Sequence, residues 1–250
     1  MSEQVQLILH PSGAAEITIH RPERHNAMTQ AMYEALLERI AECTRNPQVR
    51  AVLFRGAGGK SFISGTDIAH FAEFTQGEQG IAYEAFVEKV IDSVERIAVP
   101  TVAVIDGWAV GGGLALATVC DFRVCSEGSR FGVPIAKTLS NTLSSRNLAR
   151  LQSAFGAPRV KRMLLLAEYI DAAEALSCGY VYEACAAEQL NDRAMALAAR
   201  LMPLSGVTQA AVKESMRRIV IEQSLADDDL VHRVYGSEAF RQGVAQFLKR

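Results

Sequence analysis

Residues 107–121 read Gly-Trp-Ala-Val-Gly-Gly-Gly-Leu-Ala-Leu-Ala-Thr-Val-Cys-Asp, so three consecutive glycines separate an apolar strand predicted at 101–105 from an apolar helical run. Because glycine has no Cβ atom, the chain can turn sharply here and leave backbone N–H groups unshielded at the start of the helix. Such groups, together with the helix dipole, favour developing negative charge. The pattern is that of an oxyanion hole, and a tight packing turn between strand and helix would give the same pattern.

A second glycine-bearing turn lies at residues 60–68, Lys-Ser-Phe-Ile-Ser-Gly-Thr-Asp-Ile. It follows a strand predicted at 51–54 and leads into a short helical pattern. Two such turns can supply two N–H donors to one oxygen atom. The pair of turns therefore favours the oxyanion-hole interpretation over the packing turn.

The order and spacing of these turns and of four further motifs resemble the crotonase family, also called the enoyl-CoA hydratase/isomerase superfamily. The resemblance covers nearly the whole chain. The further motifs are RPERHNA at 21–27, FGVP at 131–134, the segment 172–181 that resembles the family's Ala-x-x-Gly-Leu-Val, and FLKR at 247–250. No single motif is decisive, but together they are specific.

Hydrophobic periodicity predicts an α/β core in which strands and helices alternate, followed by helices. Thr29 is the predicted N-cap of the first helix. The predicted strands are 5–9, 15–19, 51–54, 101–105 and 122–125, and the predicted helices are 32–40, 81–97, 113–119, 157–167, 172–178, 188–201, 208–222 and 226–247.

The resemblance implies the family's version of this architecture, a spiral of repeated ββα units with a helical C-terminal oligomerisation region. We expect residues 1–200 to form the core with the CoA-thioester site and residues 201–250 to form the oligomerisation region. The resemblance also implies a homotrimer or a dimer of trimers, which would cover the apolar faces of the late helices.

Composition agrees with an enzyme that acts on a small molecule. The 250 residues are 49% hydrophobic and carry a formal net charge of -2, so the chain can bury a large core and has no charge excess that would suggest nucleic acid. No apolar run reaches 18 residues, and no signal-peptide pattern stands at the N-terminus, so we expect no membrane association and a cytoplasmic location. The five cysteines lack metal-ligand spacing, which predicts free thiols, most of them buried.

The resemblance implies that the backbone N–H groups of Thr66 and Gly112 bind the thioester carbonyl oxygen of an acyl-CoA. When such a thioester is deprotonated beside the carbonyl or attacked at it, negative charge develops on that oxygen. Two backbone donors stabilise this charge better than they stabilise the ground state. Threonine in place of the family's frequent alanine leaves the N–H donor in place.

Further residues are implied to contact coenzyme A, which enters as part of the substrate rather than as a permanently bound cofactor. The segment at 64–68 would bind the adenine through backbone groups, and the late residues would lie on the adenine side. For the basic and C-terminal residues, ordinary solvation of the surface is the alternative. The residues concerned are Arg24, Ser64, Asp67, Ile68, Phe247 and Lys249.

Two positions depart from the family's hydratases. These enzymes carry one glutamate two residues after the glycine triplet and another directly after the Phe-Gly-x-Pro turn, where this chain has Ala115 and Ile135. The glutamate pair positions water and exchanges protons across the double bond, which alanine and isoleucine cannot do. The sequence therefore argues against ordinary enoyl-CoA hydration.

Three other regions are candidates for a replacement base. Glu84, Glu88, Asp92 and Glu95 are spaced to share one face of a helix, which predicts a solvated face, with Glu88 as the candidate exception. His70 could act from the side of the acyl pocket, or be a surface histidine on a short helix.

The third region is the hydroxyl- and amide-rich loop 136–146. Its members at 140–144, Ser140, Asn141, Thr142 and Ser144, could orient water, or form an ordinary loop and cap the following helix.

Three functional hypotheses remain. The first is an acyl-CoA enzyme with an unorthodox base, acting as a hydratase-like lyase, an isomerase, a thioester hydrolase or a decarboxylase. The second is a CoA-thioester binder with little catalysis, and the third is an oligomeric scaffold. A scaffold has no need of two anion-binding turns, so the turns favour the first two hypotheses.

Overall fold

The strands divide between two sheets in the computed structural model, which describes residues 4–249. One sheet has six strands in the order β1-β2-β3-β5-β7-β10, and the other has four in the order β4-β6-β8-β9. The strands are β1 Val5–Leu9, β2 Ala14–Ile19, β3 Ala51–Gly56, β4 Ser61–Ile63, β5 Thr101–Ile105, β6 Trp108–Val110, β7 Phe122–Ser126, β8 Arg130–Gly132, β9 Ile170–Asp171 and β10 Glu183–Cys185.

The helices follow the strands in chain order and then dominate the last third of the chain. Short 3₁₀ helices lie at Pro22–Arg24, Ile68–Phe71 and Ala187–Gln189, and one π-helix lies at Arg218–Glu222. The α-helices are α1 Gln30–Arg45, α2 Gly77–Glu95, α3 Gly112–Val119, α4 Ser145–Phe155, α5 Ala157–Leu165, α6 Ala172–Ser177, α7 Leu190–Leu201, α8 Gly206–Arg217, α9 Asp228–Tyr235 and α10 Glu238–Phe247.

The expected ββα units are present. In three successive units, β3-β4-α2, β5-β6-α3 and β7-β8-α4, the first strand joins the six-stranded sheet and the second joins the four-stranded sheet. The strands β3, β5 and β7 pair in parallel, and so do β4, β6 and β8. Each unit thus repeats the same path one strand further along both sheets, which is the predicted spiral.

Burial explains why the central strands read as continuous apolar runs. All five residues of β5 are buried, because β5 lies between two parallel neighbours and is covered on both faces. Helix α1 packs against β1 and β2 of the same sheet, and its buried face includes Met32, Leu36 and Ile40, which are spaced four residues apart. Its N-cap is Thr29, whose hydroxyl accepts from the N–H of Met32, as predicted.

The C-terminal helices differ from the prediction in two respects. The helix predicted at 226–247 is two helices, α9 and α10, because the first helix ends at its C-cap Gly236 and Ser237 is the N-cap of the second. The helix predicted at 208–222 is α8 followed by the π-helix. The division of the chain at residue 200 stays a prediction. Among residues 4–249, none of the helices combines the length and apolarity needed to cross a bilayer.

Close packing of α3 on β4 fixes the start of the helix. A Cβ atom on Gly113 would overlap the carbonyl oxygen of Ile63, so only glycine lets the first turn of α3 lie against this strand. The two β-strand ends that precede the glycine turns are therefore held side by side.

We predict that Gly113→Ala lowers the free energy of unfolding by about 3 kcal/mol or more, since the new methyl group meets backbone that cannot move aside. The matched control is Gly80→Ala on α2, where a Cβ meets nothing within 4 Å. That change should be neutral or add up to about 1 kcal/mol through helix propensity. Denaturant titration of both variants checks this, and equal stabilities would contradict it.

Candidate active site

The two glycine turns lie against each other. A Cβ atom on Gly65 would lie 3.7 Å from the backbone nitrogen of Gly112, and one on Gly111 would lie 3.8 Å from the Cα of Gly65. Gly65 and Gly111 have φ angles of 103° and 55°, which L-residues with side chains rarely adopt. The structure thus brings together the two turns that the sequence singled out.

The N–H groups of Thr66 and Gly112 are left without acceptors in these turns. Thr66 forms a parallel bridge with Met28, in which Met28 N donates to Gly65 O (2.8 Å) and Asp67 N donates to Met28 O (2.9 Å). The N–H of Thr66 therefore points away from Met28. Gly112 is the first residue of α3, where a helix provides no acceptor. Within residues 4–249, no hydrogen bond engages either N–H.

An ion pair holds the turn that contains Thr66. Arg21 donates to the Asp67 carboxylate at 2.7 Å and to the carbonyl of Ala27 at 3.0 Å. Arg21 lowers the pKa of Asp67, whose carboxylate also caps the 3₁₀ helix by accepting from Ala69 N. The Asp67 carboxylate is therefore occupied, and its N–H is engaged by Met28 O. The Asp67 carbonyl accepts from His70 N at 3.0 Å and keeps a second lone pair for a ligand.

The buried Asn26 side chain connects the same segment to the rest of the sheet. Its oxygen accepts from Arg21 N at 2.9 Å, and its nitrogen donates to the carbonyls of Ala57 and Ser61 at 2.9 and 2.7 Å. All the polar atoms of this buried side chain thus have partners. The RPERHNA motif accordingly acts as a brace for the glycine turn at 64–66.

Two tyrosines that the sequence analysis did not single out converge on Thr66. The Thr66 hydroxyl is hydrogen-bonded to the hydroxyl of Tyr33 on α1 (2.8 Å) and to that of Tyr83 on α2 (2.6 Å). Burial raises the pKa of both phenols above their ordinary value. Three hydroxyl groups therefore stand in a row beside the free N–H of Thr66.

The two positions that carry glutamate in the family's hydratases are apolar in their surroundings as well as in identity. Ala115 is buried on α3, and Ile135 is half-buried and packs against the core. Neither position carries a group that can exchange a proton.

The prediction of a solvated acidic face on α2 is wrong. Arg150 on α4 is buried and donates to both carboxylate oxygens of Glu88 at 2.8 Å and to Glu95 at 2.7 Å. Asp92 pairs with Arg96 at 2.7 Å. These acids face cations, and both carboxylate oxygens of Glu88, the candidate exception, are occupied by hydrogen bonds from Arg150.

Glu84 stands apart from the other acids on this face. It is half-buried, and its carboxylate accepts from Ser144 N at 2.9 Å. Burial is the main cause that raises the pKa of Glu84. The glutamate thus ties α2 to the end of the hydroxyl-rich loop.

The structure shows the surroundings of the other two candidate regions, His70 and the loop at 140–144. His70 lies on the short 3₁₀ helix, half-buried in ring contacts with Phe71, Phe74 and Tyr83 at 5.4–5.5 Å between ring centroids. The capping interpretation of the loop is confirmed for Ser144, whose hydroxyl accepts from the N–H of Asn147 in the first turn of α4. Ser140, Asn141 and Thr142 are exposed.

The residues assigned to coenzyme A fall into two groups. Ser64 N donates to His25 O at 3.2 Å, so the turn at 64–66 lies beside the exposed Arg24, and Ile68 is exposed nearby in sequence. Phe247 is the last residue of α10, which contacts α9, and Lys249 lies in the turn that follows. In the part of the chain that the structure describes, no hydrogen bond joins these last two residues to the glycine turns. Arg250 lies outside the described residues.

Known proteins resemble this chain over nearly its whole length. The profile of a family described as Enoyl-CoA hydratase/isomerase matches residues 10–250. The chain is 31% identical to the short-chain-enoyl-CoA hydratase of Clostridium acetobutylicum over 235 residues, which cover 94% of this chain and 87% of that protein. It is 27% identical to the crotonyl-CoA hydratase of Syntrophomonas wolfei over 240 residues, which cover 94% and 92%.

A solved structure gives the same result for the fold. The structure of an enoyl-CoA hydratase/carnithine racemase from Magnetospirillum magneticum matches with a TM-score of 0.89 and 29% sequence identity. The match covers 100% of this chain and 94% of that one. The ββα spiral is therefore shared with solved members of this group.

We predict that Arg150→Met lowers the free energy of unfolding by about 3–5 kcal/mol, because Glu88 and Glu95 lose their buried cation. The control is Arg146→Met, since Arg146 is exposed and lies 3.7 Å from Glu88, and its loss should change stability by less than about 1 kcal/mol. Thermal and denaturant unfolding check this, and similar losses for both variants would mean that Glu88 does not depend on Arg150.

Proposed function

The chain belongs to the enoyl-CoA hydratase/isomerase family, and on this basis we propose that it binds an acyl-CoA thioester and stabilises charge on the thioester oxygen through Thr66 N and Gly112 N. What supports the proposal is the pair of neighbouring turns with two unengaged N–H groups. An oxygen atom between the turns would accept from both donors. The alternative, a packing turn, gives no reason for two adjacent turns to leave their donors free.

The chemistry that suits such a pair is formation of a thioester enolate. Charge moves onto the oxygen as the enolate forms, so fixed N–H dipoles stabilise this state more than the starting thioester. One of the donors, Gly112 N, stands at the start of α3, where the helix dipole acts in the same sense. The activity that we propose is accordingly that of a lyase or an isomerase acting on an acyl-CoA.

Ordinary hydration does not fit the side chains around this site. Ala115 and Ile135 supply no carboxylate, and Glu88 is paired with Arg150. Proton chemistry would then depend on groups other than the usual glutamates. A CoA-thioester binder without catalysis is the alternative, and it shares the same thioester site.

Coenzyme A, as part of the substrate, would be held at the edge of the site. Arg24 is exposed beside the turn at 64–66 and would meet a phosphate or the ribose, while Ser64, Asp67 and Ile68 would present backbone groups to the adenine. At Asp67 the carboxylate is engaged by Arg21 and the N–H by Met28 O, so its contact with the adenine would use the second lone pair of the carbonyl that accepts from His70 N. Phe247 and Lys249 would approach the adenine through the C-terminal helices.

We also propose that the protein assembles as a homotrimer or a dimer of trimers. Large apolar side chains are exposed on the helical C-terminal region of the single chain, and a symmetric assembly would cover them. The exposed residues include Val212, Met216, Ile219, Leu225, Tyr235, Phe247 and Leu248.

We expect a short acyl-CoA to bind and the corresponding free acid to bind at least tenfold more weakly, because the free acid lacks the nucleotide and pantetheine contacts. Titration calorimetry with butyryl-CoA and butyrate measures the two affinities, and free coenzyme A is the control for the nucleotide contribution. Equal affinity for butyryl-CoA and butyrate, or binding of neither, would remove the acyl-CoA function and leave the scaffold.

We expect crotonyl-CoA hydration to be slower than in a relative with both glutamates by about 10²- to 10⁴-fold for each missing group. The absorbance of the conjugated thioester follows the reaction. Ala115→Glu combined with Ile135→Glu should raise the rate if the new carboxylates reach water rather than remain desolvated. Rapid hydration by the unchanged chain would show that another residue supplies the proton chemistry.

A further inference from the structure

The row of hydroxyl groups at Tyr33, Thr66 and Tyr83 joins three separate parts of the chain. Tyr33 comes from α1 and is 4% exposed, Thr66 comes from the glycine turn, and the half-buried Tyr83 comes from α2. The two hydrogen bonds, 2.8 and 2.6 Å long, have ordinary geometry for hydroxyl groups.

The row of three hydroxyl groups has one more O–H donor than its two hydrogen bonds use. Three hydroxyl groups carry three protons, and two hydrogen bonds between them use two. Within residues 4–249, these three hydroxyl groups have hydrogen bonds to one another only. One O–H group in the row is therefore available to a ligand in every arrangement of the protons.

The spare donor is next to the proposed thioester site. The Tyr33 hydroxyl lies 3.1 Å from where a Cβ atom on Gly112 would stand, and it is bonded to the side chain of Thr66. Tyr33 is thus hydrogen-bonded to one of the two residues whose N–H groups are proposed to bind the thioester oxygen and lies beside the other. When Tyr83 donates to Thr66 and Thr66 donates to Tyr33, the free proton is on Tyr33.

The row also stays protonated under ordinary conditions. Burial raises the pKa of both phenols, so they are neutral near pH 7 and serve as hydrogen-bond donors but not as bases. A row of neutral hydroxyl groups that donate in sequence polarises the terminal O–H, which strengthens its donation.

We propose that Tyr33, backed by Thr66 and Tyr83, is a third hydrogen-bond donor to the thioester oxygen. The inference rests on the proposed function, since it needs an acyl-CoA whose oxygen lies between the two glycine turns. The Tyr33 hydroxyl keeps its proton throughout and shares it with the developing oxyanion. Tyr33 would thereby add a side-chain donor to a site otherwise built from backbone.

A different role would also use these contacts. The two tyrosines could merely hold the Thr66 side chain and so fix the orientation of the Thr66 N–H. The two roles respond differently to substitution. Tyr33→Phe removes the donor and one contact to Thr66, whereas Thr66→Val removes both side-chain contacts of Thr66 but keeps the Tyr33 hydroxyl and the Thr66 N–H.

The test is the absorbance of a bound, conjugated 2,4-dienoyl-CoA. Hydrogen bonds to the thioester oxygen polarise the chromophore and move its absorption to longer wavelength. We expect Tyr33→Phe to lose a third or more of the shift and to bind the thioester about three- to tenfold more weakly, the usual effect of losing one neutral hydrogen bond. Thr66→Val should lose distinctly less of the shift. Tyr182→Phe is the matched control and should equal the unchanged protein, because Tyr182 is exposed and its hydroxyl accepts from Arg200, away from the glycine turns.

The outcomes separate the hypotheses. A full shift in folded Tyr33→Phe overturns the inference, and so does a loss in Thr66→Val equal to or greater than that in Tyr33→Phe, which would assign the row to positioning alone. If the unchanged protein binds the dienoyl-CoA without any shift, or does not bind it, the proposed oxyanion site fails as well. Thermal unfolding of each variant verifies that it is folded.

Discussion

The close approach of α3 to β4 is the constraint on which the rest of the site depends. Because Gly113 lies directly against the carbonyl of Ile63, the start of the helix and the end of the strand share one small volume. The turns that follow β4 and β6 are therefore in contact, and Gly65 and Gly111 adopt left-handed backbone conformations there. The ββα spiral supplies the same geometry in each unit, but the unshielded pair of N–H groups arises where these two turns touch.

Much of the fold could be predicted from the sequence because its long elements carry strong local signals. The buried strand at 101–105 and the helix capped by Thr29 are examples. The strands β4, β6 and β8 were not predicted because three residues are too few to show an alternating pattern. Each of them is defined by its pairing with a strand that is distant in sequence. The single helix expected at 226–247 was wrong because apolar periodicity continues across the break at Gly236.

The candidate site was predictable in its backbone and not in its side chains. Three consecutive glycines at 111–113, and a single glycine after a predicted strand at 64–66, indicate turns without reference to distant residues, so both turns could be found from the sequence. The acidic face of α2 was misassigned because its cation, Arg150, comes 55 residues after Glu95 and 62 after Glu88. Tyr33 and Tyr83 escaped notice for the same reason: each is an ordinary helical aromatic residue until the fold brings both to Thr66.

In the proposed site, the donors that bind the substrate are peptide N–H groups, whereas the groups that would determine the reaction are side chains. A missense change replaces a side chain and, outside proline, leaves the peptide N–H in place. In the proposed site, the side chains at positions 66, 115 and 135 can therefore differ while both N–H donors stay in place. On the proposed site, a change of reaction would therefore need new side chains around the thioester but no new binding donors, and Thr66, Ala115 and Ile135 are the side chains that this chain carries there.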